Sequence, residues 1–424
     1  MNPISAPRGT RDIIPPESAK WNTLEADCRD IAHRFGYGEI RTPIFEATEL
    51  FARGVGETTD IVEKEMYTFL DKGGRSMTLR PELTAGAVRA VLEHKLLAHG
   101  PQRLYYIGPF FRYERPQAGR YRQANQFGVE CFGVAGPEAD LEVIQIAALL
   151  IRRYGIGDAA LNINSIGDAT CRPVYRDALL AHFRPHLAEL SADSQRRLER
   201  NPLRILDSKD PQDAPFVASA PTMLQHLCDA CRAHFDALQR YLQALGIAYT
   251  VNPRIVRGLD YYTRTVFEFV SSVLGAQSTV CGGGRYDGLV AELGGPPAPG
   301  VGFGLGLERF LMVVEKLAGE HAPRRRGIQA IALGDPARER LVAIAGALRE
   351  ISAEPTFADW QGRKITAQFK TADRNNARWA VILGDDELVN EEIVLRDLLA
   401  REERRLPLAA GAAEVARVIV EATG

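Results

Sequence analysis

Residues 299–314 read PGVGFGLGLERFLMVV, and the first half of that run limits what can stand beside it. Gly302, Gly304 and Gly306 recur at period two, so all three fall on one face of a strand. A strand face without side chains leaves room that a flat ligand or a neighbouring backbone can fill. The pattern then turns helical, with Arg309 at the opening of the helix. Spacing and position differ from the dinucleotide-binding GxGxxG, and no P-loop signature occurs. The glycines mark a site of another kind.

Three further stretches carry polar groups that converge in type. In RGLDYYTRTVFEF, residues 257–269, an alternating strand is preceded by Arg257, Tyr261 and Tyr262, a polar floor for a small ligand. Residues 103–112 and 126–134 read as two strands of an antiparallel hairpin. Its tip, FRYERPQAGRYR, holds Arg112, Arg115, Arg120 and Arg122, forked donors matched to a triphosphate or an RNA end. Gln126 and Glu130 are even positions of one strand and share a face. If Glu130 points inward it requires a cationic or hydrogen-bond-donating partner, because an unpaired buried carboxylate costs several kcal/mol. Together these stretches point to an enzyme that activates a carboxylate with ATP.

The chain has 424 residues, enough for two or three domains, and 46% of them are hydrophobic. A net charge of −2 gives no global basic field, so an RNA partner must meet local patches. No apolar run is long enough for a membrane span, and the start MNPISAPRGTRDIIPPE has no secretory apolar region. Six scattered cysteines fit a reducing cytoplasm. One cluster, His226, Cys228, Cys231 and His234, invites a metal, but it falls on an expected helix whose apolar face already explains it. It is read as core or surface thiols, with no protein-held structural metal.

Helix is expected over 16–35, 83–99 and 138–153, and strand-like character over GEIRTPIFE, where Pro43 limits pairing to an edge or an interface. Residues 171–250 turn helical and Arg-rich, as an insertion between two halves of one sheet domain would. Gly319–Arg326 reads as a linker, and beyond it strands and helices alternate as in a small α/β domain with a mixed or parallel sheet.

With these residues in hand, the chain resembles the bacterial-type histidyl-tRNA synthetases, which are class II aminoacyl-tRNA synthetases, over essentially its whole length. GEIRTPIFE is similar to the first class II motif, the Arg-rich hairpin to the second and GFGLGLERF to the third. RGLDYYT and LRPELTAG match stretches peculiar to the histidine enzymes. The resemblance implies an α+β fold with an antiparallel sheet flanked by helices, a helical insertion and a C-terminal α/β anticodon-binding domain. Its divisions would be 1–170 and 248–322 for the catalytic domain, 171–247 for the insertion and 327–424 for anticodon binding. It implies a cytoplasmic homodimeric ligase, with no membrane partner, dimerising around Pro43. Its substrates would be L-histidine, ATP with Mg²⁺, and tRNA(His).

By the same resemblance, Arg112 and Arg257 hold the α-phosphate and carboxylate, Glu114 belongs to the ATP site, and Arg309 clamps the far end of the triphosphate. Glu82, Thr84 and Gln126 hold the α-amino group. Glu130 and Tyr262 bond the imidazole, with Tyr261 beside them and Tyr286 in the same pocket. Arg115 and Gln117 contact the acceptor end of the tRNA. Three departures stand out: Leu83 where a glycine is common, Ala124-Asn125 where Phe-His is usual, and Glu391-Glu392 where a glycine is usual. A second reading is a non-catalytic, synthetase-like regulatory subunit of ATP phosphoribosyltransferase. Such paralogues generally lack the C-terminal domain and degrade RGLDYYT, and both are present here.

Overall fold

The structure, a computed structural model, describes residues 4–56, 59, 61–116, 119–206, 208–255, 259, 261–274, 279–318, 325–408 and 411–423. It forms two compact units, Met1–Gly319 and Glu320–Gly424. Most of the expected linker, residues 319–324, lies outside the described residues.

The first unit opens with α1 (Glu17–Arg34), which has Glu17 in its first turn and His33 and Arg34 in its last, each sign facing the favourable end of the helix dipole. Trp21, Leu24, Cys28 and Ile31 form its buried stripe. The strand expected over GEIRTPIFE is divided at Pro43. Its start is β1 (Gly38–Glu39) in the large sheet; its end is β2 (Phe45–Ala47) in a small one. Proline cannot donate to a ladder, so the chain changes sheets there. After α2 (Thr48–Val55), β3 (Tyr67–Leu70) and β4 (Ser76–Leu79) complete the small sheet in the order β2-β4-β3. Helix α3 (Thr84–Glu93) ends before the expected position 99: Lys95 takes φ +52, and a short 3₁₀ turn follows.

Next come β5 (Gln102–Phe111), β6 (Gln123–Phe132), α4 (Pro137–Arg153) and β7 (Ala160–Ser165). The helical stretch holds α5 (Cys171–Phe183), α6 (Ala192–Arg200), α7 (Ala214–Ser219) and α8 (Asp229–Ala244), with a core of its own that includes Leu179, Phe183, Leu198 and Cys231. The chain returns through β8 (Thr250–Val251), β9 (Thr263–Val270), β10 (Thr279–Arg285), α9 (Leu289–Glu292), β11 (Gly300–Gly306) and α10 (Leu307–Ala318).

The large sheet runs β1-β5-β6-β11-β10-β9-β7-β8. Its central six strands are antiparallel, as the family resemblance implies, and the outer pairs β1–β5 and β7–β8 are parallel. Alternation sorts its two faces. Phe127, Val129 and Cys131 of β6 and Val301, Phe303 and Leu305 of β11 enter the main core with residues of α1, α4 and α10. The even positions of both strands face the other way, toward α3.

In the second unit, β12 (Ile328–Ala332), α11 (Asp335–Ile351), β13 (Thr356–Ala358), α12 (Ile365–Arg374), β14 (Trp379–Leu383), α13 (Asp385–Val389), β15 (Glu392–Asp397), β16 (Glu403–Pro407) and α14 (Ala412–Thr423) follow in order. The sheet β13-β12-β14-β15-β16 is parallel up to β14 and antiparallel beyond it, the mixed rather than the parallel of the two arrangements the sequence left open. Strands β15 and β16 were not anticipated. Leu341, Ile344, Leu348, Val415 and Ile419 of α11 and α14 pack on one face. Among the described residues no helix is long and apolar enough to cross a membrane.

Candidate active site

The pairing of β6 with β11 explains two of the three glycines, Gly302 and Gly304, while a β-carbon on Gly306 would meet nothing closer than Arg309 at 3.9 Å. Glu130 lies opposite Gly302, and Gln126 opposite Gly306. A β-carbon on Gly302 would overlap the Glu130 carboxylate and the Val129 carbonyl; one on Gly304 would overlap the Gln126 amide. The space the glycines leave is therefore filled first by two polar side chains of the adjacent strand, which can lie flat across the sheet.

Glu130 is 1% exposed and is met by three hydroxyl donors. Thr84 Oγ1 donates to its Oε1 at 2.7 Å and Tyr106 Oη at 2.9 Å, while Tyr286 Oη donates to Oε2. Burial pushes the Glu130 carboxyl up to about 7, against the opposing pull of those three hydroxyls. Having given their protons to Glu130, the hydroxyl oxygens of Thr84 and Tyr286 keep their lone pairs for a ligand. Tyr106 was not singled out from sequence. It sits at an even position of β5 and reads there as ordinary strand core; only its register beside Gly128, whose β-carbon its ring would exclude, reveals it.

Glu82 is 4% exposed and holds the start of α3: Thr84 N–H donates to Oε2 at 2.7 Å and Ala85 N–H to Oε1 at 2.8 Å. Burial raises its carboxyl, while those amides and the Arg112 charge oppose the rise. Tyr261 and Tyr262 are both buried, with ring centroids 4.7 Å apart, and Tyr261 meets Tyr286 edge-on at 5.6 Å. Arg112 is anchored by its Nε to the Pro81 carbonyl at 2.8 Å and lies over Phe110. Burial lowers the pKa of Arg309, and Arg120 adds to the effect.

Glu82, Thr84, Arg112, Gln126, Tyr261, Tyr262, Tyr286 and Arg309 line one cavity of about 240 Å³, with Glu130 directly beneath its Thr84 and Tyr286 walls. A second cavity, about 250 Å³ and mostly apolar, lies between the sheet and the helical stretch, with Met223, Ile255 and Leu206 among its walls. The polar one brings Arg112 and Arg309 together with the Glu82 carboxylate, and so has the groups for chemistry. Of the remaining expected residues, Glu114 does not line it but pairs with Arg120 at 3.0 Å, and Arg115 is exposed on the hairpin loop. Gln117 and Arg257 lie outside the described residues.

His226, Cys228, Cys231 and His234, read from sequence as core or surface positions rather than a metal site, do not converge on one point. His226 stacks against Tyr175 at 5.6 Å, and His234 lies 3.3 Å from Asp140. That carboxylate also receives Arg285, fully buried, whose other bonds reach the Val134 and Gly136 carbonyls and Asp287. Burial would raise the Asp140 carboxyl, but His234 and Arg285 together outweigh it and hold it at about 2. This cluster fixes the end of β10, and with it Tyr286, against the start of α4.

The departures from the family pattern are absorbed by packing. Asn125, on the opposite face from Gln126, donates its backbone N–H and its Nδ2 to the buried Glu308 of the LER sequence. Leu83 takes an ordinary φ of −109° and is buried against Ala87 and Tyr106. Glu391 adopts φ +52°, the left-handed conformation that favours glycine.

Comparison with known proteins agrees with this geometry. The family model described as histidyl-tRNA synthetase matches residues 9–310, and an anticodon-binding-domain model matches 329–417. A histidine–tRNA ligase of Desulfitobacterium hafniense is 51% identical over 409 residues, 96% of each chain. The crystal structure of apo S. aureus histidyl-tRNA synthetase matches with a TM-score of 0.81 at 38% identity, over 97% of this chain and 100% of that one. A Bacillus halodurans structure described as an ATP phosphoribosyltransferase regulatory subunit/histidyl-tRNA synthetase matches at 22% identity and TM-score 0.64, over 90% of this chain and 99% of that one, a likeness of fold alone. With one family model spanning most of the chain and a second matching its C-terminal unit, the chain belongs to the histidyl-tRNA synthetase family.

Proposed function

We propose that this chain condenses L-histidine with ATP to histidyl-adenylate and pyrophosphate, then passes the histidyl group to the 3′ end of tRNA(His). The observation that carries the histidine half is the buried Glu130 with its hydroxyl donors beneath a cavity walled by tyrosines, beside Arg112 and Arg309. Imidazole has one donor and one acceptor nitrogen when neutral. Glu130 and Tyr262 would bond its two ends, while Glu82, Thr84 and Gln126 offer acceptor oxygens to the α-ammonium group.

The substrate carboxylate is already a nucleophile at neutral pH, so adenylation needs no protein base. What it needs is a way to bring two anions together and stabilise the α-phosphate as charge builds there. Arg112 and Arg257 would do this, with Arg309 at the far end of the triphosphate. Arg115 and Gln117 would meet the tRNA acceptor end, and the 327–424 region the anticodon. Glu114 faces Arg120, and Mg²⁺ would arrive on the triphosphate oxygens as part of the ATP substrate.

A homodimer is supported by exposed Ile44 and Phe45 next to Pro43 and by exposed Phe69 and Leu70 on the same small sheet. Phe45→Asp should shift the species seen by light scattering from dimer to monomer; a wild-type monomer would remove this part of the proposal. With these substrates the reaction would run in the cytoplasm. The test of the whole is histidine-dependent ATP–pyrophosphate exchange, followed by charging of a tRNA(His) transcript. Histidine binding without exchange would favour the regulatory-subunit reading, against which the anticodon-domain match counts.

A further inference from the structure

The thiols that do not join the two histidines gather elsewhere. Asp168, Cys171, Cys228 and Cys231 bring one carboxylate oxygen and three sulfurs within 4.8 Å of one another. They arrive as two matching pairs, Asp168-Ala-Thr-Cys171 and Cys228-Asp-Ala-Cys231, with the same two-residue spacing. Each pair stands at the start of a long helix: Cys171 opens α5 and Cys228 caps α8. We propose that these four side chains bind a zinc ion, a structural site at the root of the helical stretch.

The donor set fits that ion. Three sulfurs and one carboxylate oxygen complete a tetrahedron with no position left for water, the closed arrangement of structural rather than catalytic zinc. Zinc–sulfur bonds of about 2.3 Å set tetrahedral sulfurs roughly 3.8 Å apart. Ligand atoms already within 4.8 Å therefore need to close by about 1 Å at most. Soft sulfur donors select zinc over magnesium or calcium. Binding exchanges the three thiol protons for the metal, so each ion taken up releases up to three protons to solvent.

The surroundings are arranged for anionic ligands. The Cys228 N–H donates to Cys171 Sγ at 3.1 Å, and the Thr170 N–H to Asp168 Oδ1 at 2.9 Å. Arg264 Nη2 lies 3.5 Å from Asp168 Oδ2, and two helix starts add their partial positive charge. Gly167, at φ +63°, has no room for a β-carbon beside Cys171. Cys171 and Cys231 are buried, and all six cysteines are free thiols in the structure.

The site also touches the ligand cavity through the backbone. Arg172, next to Cys171, donates to the Tyr262 carbonyl, and Arg264 N–H donates to the Gly167 carbonyl at 2.7 Å. A bound ion would hold α5 to α8 and, through these bonds, fix the entrance of β9.

The test is metal analysis of the full chain purified without chelators. One zinc per chain is expected, lost in Cys231→Ser and kept in Cys28→Ala, a buried thiol of the main core. Because Cys231→Ser could fail to fold, cobalt(II) is also added to the metal-stripped, reduced wild-type chain. Sulfur-to-cobalt charge transfer with the strong visible bands of a tetrahedral ion is expected, and Asp168→Cys should strengthen the charge transfer. Wild-type protein that holds no zinc and gives no such spectrum overturns the proposal. So does zinc that persists in Cys228→Ser/Cys231→Ser, or a disulfide among these cysteines in freshly isolated, thiol-blocked protein.

Discussion

Glu130→Gln tests the site through stability as well as activity. Burial pushes the Glu130 carboxyl up to about 7, whereas in the unfolded chain it would titrate near its ordinary value of 4.5. Between those pH values the folded state holds a proton that the unfolded state has released, so folding weakens as pH rises. At one pKa unit per roughly 1.4 kcal/mol, the loss is about 1.4 kcal/mol by about pH 5.5 and about 3 kcal/mol by about pH 8. Glutamine does not titrate. The stability of Glu130→Gln relative to wild type should therefore increase by about 2 kcal/mol from about pH 5.5 to about pH 8, whatever fixed cost the altered bond to Tyr286 imposes. Urea unfolding of both proteins at the two pH values measures this, with the difference of differences as the readout. In the same variant the histidine KM should rise about tenfold or more, from the loss of a hydrogen bond to a charged group worth about 1.5–3 kcal/mol. A difference in stability that does not change with pH would refute the claim that burial raises the Glu130 carboxyl. An unchanged KM would remove it from the histidine site.

Three further outcomes follow, the first from the family resemblance and the other two from the geometry. Arg257→Ala should fold normally and lose adenylation by orders of magnitude while histidine binding changes far less; retained pyrophosphate exchange would strike Arg257 from the catalytic residues. Arg285→Met leaves the Asp140 carboxylate buried with only His234 beside it, and should lower unfolding stability by about 3–5 kcal/mol, with part recovered in Arg285→Met/Asp140→Leu. Gly302→Ala drives a methyl group into Glu130 and the Val129 carbonyl, so stability should drop by about 1–3 kcal/mol and the histidine KM rise, with the ATP KM less affected; wild-type kinetics would contradict the strand register.

Much of this site was legible because a strand's period is two. Counting even positions along 126–130 and 302–306 places Gln126, Glu130 and the glycines on one face before any coordinate is known, and the register then sets Glu130 against Gly302. The hairpin and the strand-to-helix turn at Leu307 were equally readable. What could not be read depended on partners distant in sequence. Tyr106 differs from Tyr105 only in which face it takes, and Arg285 resembles any strand-end arginine until Asp140 appears beneath it. The CxxC spacing was visible, but its partners Asp168 and Cys171 stand some sixty residues earlier, at the start of another helix. Local pattern explained the cysteines as part of a helix face, and only the fold brings the two pairs together.

The three departures from the family pattern show how much weight such differences carry. In the fold Leu83 adds apolar contact behind Tyr106, the residue that orients Glu130, and Asn125 bonds Glu308 on the opposite face of β6. Neither side chain is among the cavity walls. Glu391 differs in kind: its φ of +52° is a conformation in which a β-carbon costs roughly 1–2 kcal/mol, so the preference for glycine there is one of backbone rather than of contact. Glu391→Gly removes that strain but adds freedom to the unfolded chain, which offsets part of the gain. The net effect should be a stabilisation of about 0.5 kcal/mol of the second unit, read from its unfolding midpoint, with histidine activation unchanged. A clear loss of stability would mean that the Glu391 side chain, rather than its backbone angle, holds the turn.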